Sequence, residues 1–353
     1  MKRPVRIGFV GAGWWAVANH IPLVRDDPRA SLAGVCRLGE TELRQVAQAF
    51  GFPHATQDFA QMLDEVPMDG LIISTPHHLH AQQALAAMAR GIHVLIEKPM
   101  ATDPVEARAI VAAAKANRVH AVIPFGWNFN PYFAKARQWL ADGRIGEIRH
   151  VAGRLASPMG DLLQGKAYKG TEAEMFQPDP AMWADPNTGG YGWGQLVHLL
   201  GALFYLTDLR PQHVSGVTGK SSQGADLYNA ASVTFLGGAT GAFSGAATLP
   251  AGAAFDLCLD LYGTEGVISL SVDPARLVLQ RHDGLVEDVP LAAGAGAYEC
   301  IEPVRRFIAL CAGEEAENCG SPDCGARSVE VVAAMHASAR SGRMEAVGGV
   351  SDD

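Results

Sequence analysis

The hydrophobic pattern changes rhythm partway along the chain. Up to residue 124, short apolar runs alternate with segments of helical spacing. Val5–Val10, Ser31–Cys36, Gly70–Ile73 turning at Pro76, His93–Ile96 and Val119–Pro124 read as buried strands. Helices are expected after Ala16 toward Leu23, through Ala47 and Phe50, and over Phe59–Leu63, Ala81–Arg90 and Pro104–Asn117. Strands alternating with helices in this way describe a doubly wound parallel sheet. From Glu147 onward, strand-like segments follow one another without regular helices between them: 148–155, 213–219, 228–235, 240–248, 255–262, 267–272 and 277–281. Gly237-Gly238 marks a hairpin among them. The second half therefore reads as an α+β domain on a mostly antiparallel open sheet. Helical spacing returns over Tyr298–Ala312 and Arg327–Arg340, and the tail after Val347 is expected to fray.

These rhythms place an α/β domain at 1–124 and a second, α+β domain at 125–353, consistent with a length of 353 residues. A hydrophobic share of 48% and a charged share of 18% fit a globular enzyme with a sizeable core. A net charge of −9 without a dense basic run argues against nucleic acid or an anionic membrane as partner. No apolar run reaches the about 18 residues of a membrane span. A strand-like run begins at Val5, directly after Met1-Lys2-Arg3-Pro4, so no signal peptide is expected. The six cysteines are scattered without C-x-x-C or zinc spacing, which suits reduced thiols in the cytoplasm.

Candidate chemistry begins behind the first strand. Gly11-Ala12-Gly13-Trp14-Trp15-Ala16 gives G-x-G-x-x-A between a strand and a helix. Gly11 permits the turn, Gly13 lets a pyrophosphate approach the backbone, and Ala16 allows close packing. NAD-binding folds of this type usually end the second strand in an acid that holds the ribose 2′-hydroxyl. Here that residue is Arg37, with Arg44 further on, and a guanidinium suits the 2′-phosphate of NADP. Glu40 keeps an acid nearby, so the residues lean toward NADP without excluding NAD. His77, His78 and His80 follow the strand at 70–76, where a nicotinamide ribose would lie; nothing supplies further metal ligands, and no metal is expected. At the end of His93–Ile96 stand Glu97, Lys98 and Pro99. A lysine beyond the carboxyl end of a parallel strand can handle a proton or polarise a carbonyl, because burial tunes its pKa.

The second half contributes a polar-aromatic hinge, Phe125 to Pro131, that includes Trp127 and Asn128. A long segment, Ser157–Pro186, rich in Gly, Pro, Tyr and Trp, reads as a lid or binding loop. It feeds Thr188 to His198, in which Gln195 and His198 share one helical face and glycines clear space beside the histidine.

Taken together, the sequence resembles the Gfo/Idh/MocA family, the glucose–fructose oxidoreductase and inositol dehydrogenase group. The marks are Gly11-x-Gly13-x-x-Ala16, Thr75-Pro76-x-x-Leu79-His80, Glu97-Lys98-Pro99, Gly143-Arg144-Ile145-Gly146-Glu147, the His198 helix and Ser338-Ala339-Arg340-Ser341-Gly342. The resemblance implies hydride transfer between NAD(P) and a sugar, sugar-acid or cyclitol hydroxyl, and a homo-oligomer, dimer or tetramer, formed through the C-terminal sheet. It also implies that Lys98 lies beside the nicotinamide and the substrate hydroxyl and that His198 acts as acid/base. Pro99 would fix the turn that aims the amine, through a cis bond in some relatives. The cofactor site is then expected from Gly11, Ala12, Gly13, Trp14, Trp15, Arg37, Thr75, Pro76, His77, His80, Glu97 and Lys98. The substrate site is expected from Trp127, Asn128, Tyr191 and Gln195. Family members commonly carry an aspartate four residues before the histidine; here Gly194 stands there, and Leu196 replaces a small residue. That departure admits a second reading, a glycoside-cleaving enzyme that oxidises transiently and eliminates the substituent. A third, of another class, is a non-catalytic nucleotide sensor.

Overall fold

The computed structural model describes residues 3–168 and 175–348. Val5–Val10 (β1), Ala30–Cys36 (β2), Ala55–Thr56 (β3), Gly70–Ile73 (β4), His93–Ile96 (β5) and Ala121–Val122 (β6) form a six-stranded sheet in the order β3-β2-β1-β4-β5-β6. Every pair in it is parallel. β4 is buried along its whole length and β5 at all but its first residue, as a sheet covered on both faces requires. The strand order reverses between β1 and β4, which makes the carboxyl ends of β1, β4 and β5 the place where a ligand would bind. β3 is two residues long and not buried, too short to leave an apolar pattern.

Local chemistry sets several of the helix starts. Asp58 and Asp103 accept the N–H groups that Phe59–Glu65 and Pro104–Asn117 leave unbonded in their first turns. Gly51 closes Glu40–Phe50 with φ +76°, a left-handed cap that a side chain would strain.

The unit around this sheet comprises residues up to Gly126, residues 175–178 and Glu299–Ala326. The helix Ile301–Cys311, inside the expected second domain 125–353, falls by contacts in the first unit. Its apolar face, Val304, Phe307 and Ile308, is fully buried, and the helix packs on β5 and on the helix Ile21–Asp26. Periodicity identifies the apolar face of such a helix and is silent about which core it joins.

The other unit is built on nine strands: Ile148–Ala156 (β7), Pro211–Lys220 (β8), Asp226–Phe235 (β9), Thr240–Ala246 (β10), Asp256–Gly263 (β11), Gly266–Val272 (β12), Ala275–Arg281 (β13), Val286–Asp288 (β14) and Glu345–Ala346 (β15). Their order is β14-β13-β12-β11-β7-β10-β9-β8-β15, antiparallel throughout except for β7 beside β10. Strict alternation along β10 and β12 gives this sheet one buried face. The helix Val197–Leu206, buried at every residue, packs on β7 and β11. The opposite face shows small side chains, with Ala230, Ser232, Ala242 and Ser244 exposed.

Within Ser157–Pro186, Gly160–Leu163 and Pro180–Trp183 form short helical turns. Residues 169–174 of that expected lid, and 349–353 of the expected frayed tail, lie outside the described residues. No helix among the described residues is long and apolar enough to cross a membrane.

Candidate active site

The turn after β1 has the shape that its glycines call for. Gly11 adopts φ +82°, and a Cβ there would lie 2.4 Å from the Thr75 amide, so both conformation and space demand glycine. A Cβ on Gly13 would meet nothing nearer than the Gly11 carbonyl at 4.0 Å. The chain beside Gly13 therefore leaves open space, and the helix that starts there presents first-turn N–H groups with no intrahelical acceptor. These residues fit a dinucleotide pyrophosphate. Ala16 is 1% exposed and opens a π-turn, Ala16–His20, ahead of Ile21–Asp26.

Arg37, at the end of β2, donates from Nη1 to the Ala12 carbonyl at 2.8 Å and from Nε to the Leu38 carbonyl at 3.2 Å. Its guanidinium also stacks 4.3 Å from the centre of the Phe176 ring. The aromatic richness of the long segment was the only signal for Phe176, and it named no partner. Arg44 is tied to Glu40 at 3.0 Å on the exposed surface.

At the end of β4, the Thr75 hydroxyl donates to Gln83 at 2.6 Å, Pro76 is exposed, and His77 is buried edge-on to His80 at 5.8 Å. His80, expected at a nicotinamide ribose, is fully buried. Its Nδ1 faces the Pro99 carbonyl at 2.8 Å and its Nε2 the Thr75 carbonyl at 2.7 Å; the neutral ring donates to one of them and an imidazolium to both. Burial pushes its pKa down against the pull of those two carbonyls. His80 braces the β4 and β5 ends from inside.

Glu97 is likewise turned inward. Its carboxylate receives Trp15 Nε1 at 2.9 Å, His20 Nε2 at 2.7 Å and the Lys98 main-chain N–H at 3.1 Å. Burial alone would raise this carboxyl; the His20 hydrogen bond, with the charges of His20 and Lys98, holds it below the usual carboxylate range. Lys98 follows a fully buried strand end, and the Lys98–Pro99 peptide is cis. Burial draws the pKa of Lys98 below that of free lysine, opposed by the Glu97 charge. An amine so placed can exchange a proton near neutral pH more readily than a surface lysine can. His20 was missed in the sequence; its partner lies 77 residues further on.

In the other unit, His198 lies on Val197–Leu206 and is 5% exposed. Its ring meets Trp127 edge-on at 5.6 Å and Tyr298 at 5.2 Å, and Phe255 packs against both of those rings. Trp127 is fixed by a bond from Nε1 to the Gly296 carbonyl at 2.9 Å, and Asn128 donates to the Gly201 carbonyl at 3.2 Å. Tyr191, expected at the substrate, is fully buried and gives its hydroxyl to the Leu155 carbonyl at 2.7 Å. Gln195, 4% exposed, lies in a π-turn, Gly192–Leu196, and its side-chain oxygen has no hydrogen-bond partner among the described residues. A Cβ with ordinary geometry at Gly194 would come 2.7 Å from the Trp183 ring, so that ring fills the space a side chain there would take. No group of three or more His, Cys, Asp or Glu among the described residues is placed to hold a metal.

Comparison with known proteins bears on both halves of the chain. The family model described as "Oxidoreductase family, NAD-binding Rossmann fold" matches residues 5–124, and the one described as "GFO/IDH/MocA C-terminal domain" matches residues 133–269. D-apiose dehydrogenase of Paraburkholderia graminis is 25% identical over 349 residues, 95% of this chain and 88% of that protein. Levoglucosan dehydrogenase of Pseudarthrobacter phenanthrenivorans is 28% identical over 156 residues, 42% of this chain and 40% of that protein. The chain spans 40% to 59% of the length of this and two other curated relatives that it matches. The crystal structure of an oxidoreductase domain protein from Kribbella flavida superposes with a TM-score of 0.78 at 22% identity, over 98% of this chain and 100% of that one, a likeness of fold.

Proposed function

The chain belongs to the Gfo/Idh/MocA oxidoreductases, and from that premise we propose that it is an NAD(P)-dependent dehydrogenase or reductase acting on a hydroxyl, or the matching carbonyl, of a sugar, sugar acid or cyclitol. One observation carries the proposal: a lysine at the β5 end, its amine drawn toward neutrality by burial and its backbone held by a buried carboxylate, in the unit that bears the glycine turn. The relatives named D-apiose dehydrogenase and levoglucosan dehydrogenase support the substrate class.

The nicotinamide, when bound, supplies the hydride chemistry. Gly11, Gly13 and the following helix turn would hold its pyrophosphate. Lys98 takes the hydroxyl proton in oxidation and returns it in reduction, and as an ammonium it stabilises negative charge on the reacting oxygen. His198 is assigned a second acid/base role, and Gln195 offers an amide oxygen to a substrate hydroxyl. Arg37 favours NADP, although two of its donors are already spent on Ala12 and Leu38. The protein is assigned to the cytoplasm, where six free cysteines are at ease, and to a homo-oligomer formed through the C-terminal sheet, where β9 and β10 expose Ala230, Ser232, Ala242 and Ser244.

The test is a stopped-flow screen of sugars, sugar acids and cyclitols for a change in nicotinamide absorbance, run with NAD and with NADP. Turnover on at least one member is the expected result; cofactor binding with no turnover across the panel would instead favour a nucleotide sensor. Transient oxidation with β-elimination is the second reading, favoured by the absence of any carboxylate on the helical stretch 192–206. Glycoside cleavage without net nicotinamide change would select it.

A further inference from the structure

Around the lysine end lies a buried polar set that hydride transfer does not itself require. His20 is 0% exposed, and while Nε2 meets Glu97 at 2.7 Å, Nδ1 has no hydrogen-bond partner among the described residues. Burying an imidazole with one nitrogen left dry costs free energy that an apolar side chain of similar size would not. What the position gains is the bond to Glu97. His20 is also the last residue of the π-turn Ala16–His20, and the residue just before that turn, Trp15, is the carboxylate's other side-chain donor. The same carboxylate bonds the main-chain N–H of Lys98.

We propose that His20 is a positioning residue: together with Trp15 it keeps Glu97 an anion in a fixed orientation, and Glu97 in turn holds the backbone that carries Lys98. The consequence for turnover rests on the reading of Lys98 given above; the coupling of His20 to Glu97 does not. The other groups that face Glu97 are Lys98 from the same strand end, His80 from the helix His80–Met88, and Cys300 ahead of Ile301–Cys311. Burial lowers the pKa of His80 and raises the Cys300 thiol far above its usual range, so neither replaces the hydrogen bond from His20. Without that bond a buried carboxyl binds its proton more tightly.

The experiment is an infrared titration of the Glu97 carboxyl in the full chain, its protonated band assigned by loss in Glu97→Gln. Wild type, His20→Leu, which keeps the volume, and His20→Gln, which keeps a donor near Nε2, are compared. His20→Leu should raise the protonation midpoint by about one pH unit or more, a tenfold change in proton affinity, and His20→Gln should return most of it. In turnover, the acid limb of the pH profile should move to higher pH with the carboxyl, and kcat should fall about 10- to 100-fold while KM changes little. A folded His20→Leu protein with the wild-type midpoint overturns the proposal. If His20→Leu does not fold, Trp15→Phe removes the other side-chain donor and should shift the midpoint the same way by less; no shift there overturns it equally. The titration needs no turnover, so a shifted midpoint in a protein inactive on every substrate upholds the His20 role and refutes the dehydrogenase reading alone.

Discussion

The lysine end of the first unit and the surroundings of His198 in the second are built from opposite materials. Around Lys98 the contacts are directional hydrogen bonds between buried polar groups: three donors on Glu97 and two carbonyls on His80. Around His198 they are edge-to-face rings, Trp127 and Tyr298, backed by Phe255. Hydrogen bonds in a dry setting fix charge and direction, and removing one partner leaves another unsatisfied. Aromatic packing fixes shape and tolerates exchange of one ring for another. The first arrangement suits a step that every substrate must undergo, and the second suits the choice among substrates.

That contrast breaks most visibly at Lys98. Lys98→Ala should lower kcat about 10³-fold, the scale of a lost general acid–base group, with cofactor affinity within a few-fold of wild type by calorimetry. Near-normal turnover would remove Lys98 from the chemistry. His198→Asn should cost less, about 10²-fold, the low end for a lost acid–base group, and should do so unevenly across sugars, since shape is altered along with proton transfer. An even loss across the panel would show that the aromatic surroundings do not sort substrates.

Gly194→Asp sharpens the packing side. A carboxylate at 194 overlaps the Trp183 ring, and the overpacking should lower stability by about 1–3 kcal/mol, read as a fall in Tm. Trp183→Ala in the same chain should recover part of that loss. If Gly194→Asp melts like wild type, Trp183 is not what excludes a side chain there.

Acid should separate the two regions by a different route. Both Glu97 and His80 have folded-state pKa values below their ordinary ones, so each contributes stability that is present above its unfolded pKa, about 4.3 and 6.5, and is lost as pH falls through the folded value. Protection of amides in β5 against hydrogen exchange should therefore fall more than protection of amides in Val197–Leu206 as pH is taken from 7 to below 4, first as His80 and then, below about 4.3, as Glu97 takes up its proton. Equal loss in both would mean that the polar set does not hold its region.

The same contrast governs what the sequence revealed. The turn at Gly11–Ala16 and the lysine at a strand end are local patterns, each carried by neighbours in the chain, and the parallel and antiparallel sheets follow from two apolar rhythms. His20 meeting Glu97, Phe176 stacking on Arg37 and Trp183 filling the space at Gly194 are encounters between segments whose spacing carries no period. Glu97 and His80 stood out as polar residues near a cofactor; their inward orientation depends on backbone carbonyls and buried donors that no motif records. Ile301–Cys311 was legible as a helix, while the unit whose core it joins was not, because an apolar face does not name its core.

The smallest expected effect tests whether His198 is seated by shape alone. Trp127 contributes both a ring and a hydrogen bond, from Nε1 to the Gly296 carbonyl at 2.9 Å. Trp127→Phe keeps an aromatic ring and removes the donor, so the Gly296 carbonyl, itself buried, loses a partner at a cost of about 1 kcal/mol. If packing is what seats His198, Tm should fall slightly while kcat stays within about threefold of wild type, a change well under 1 kcal/mol in barrier. A loss of turnover as large as that of His198→Asn would show that the indole N–H, rather than the face of the ring, sets the position of the imidazole. In that event the second region would depend on a directional bond as the first does, and the division between polar and aromatic construction would fail at its most exposed point.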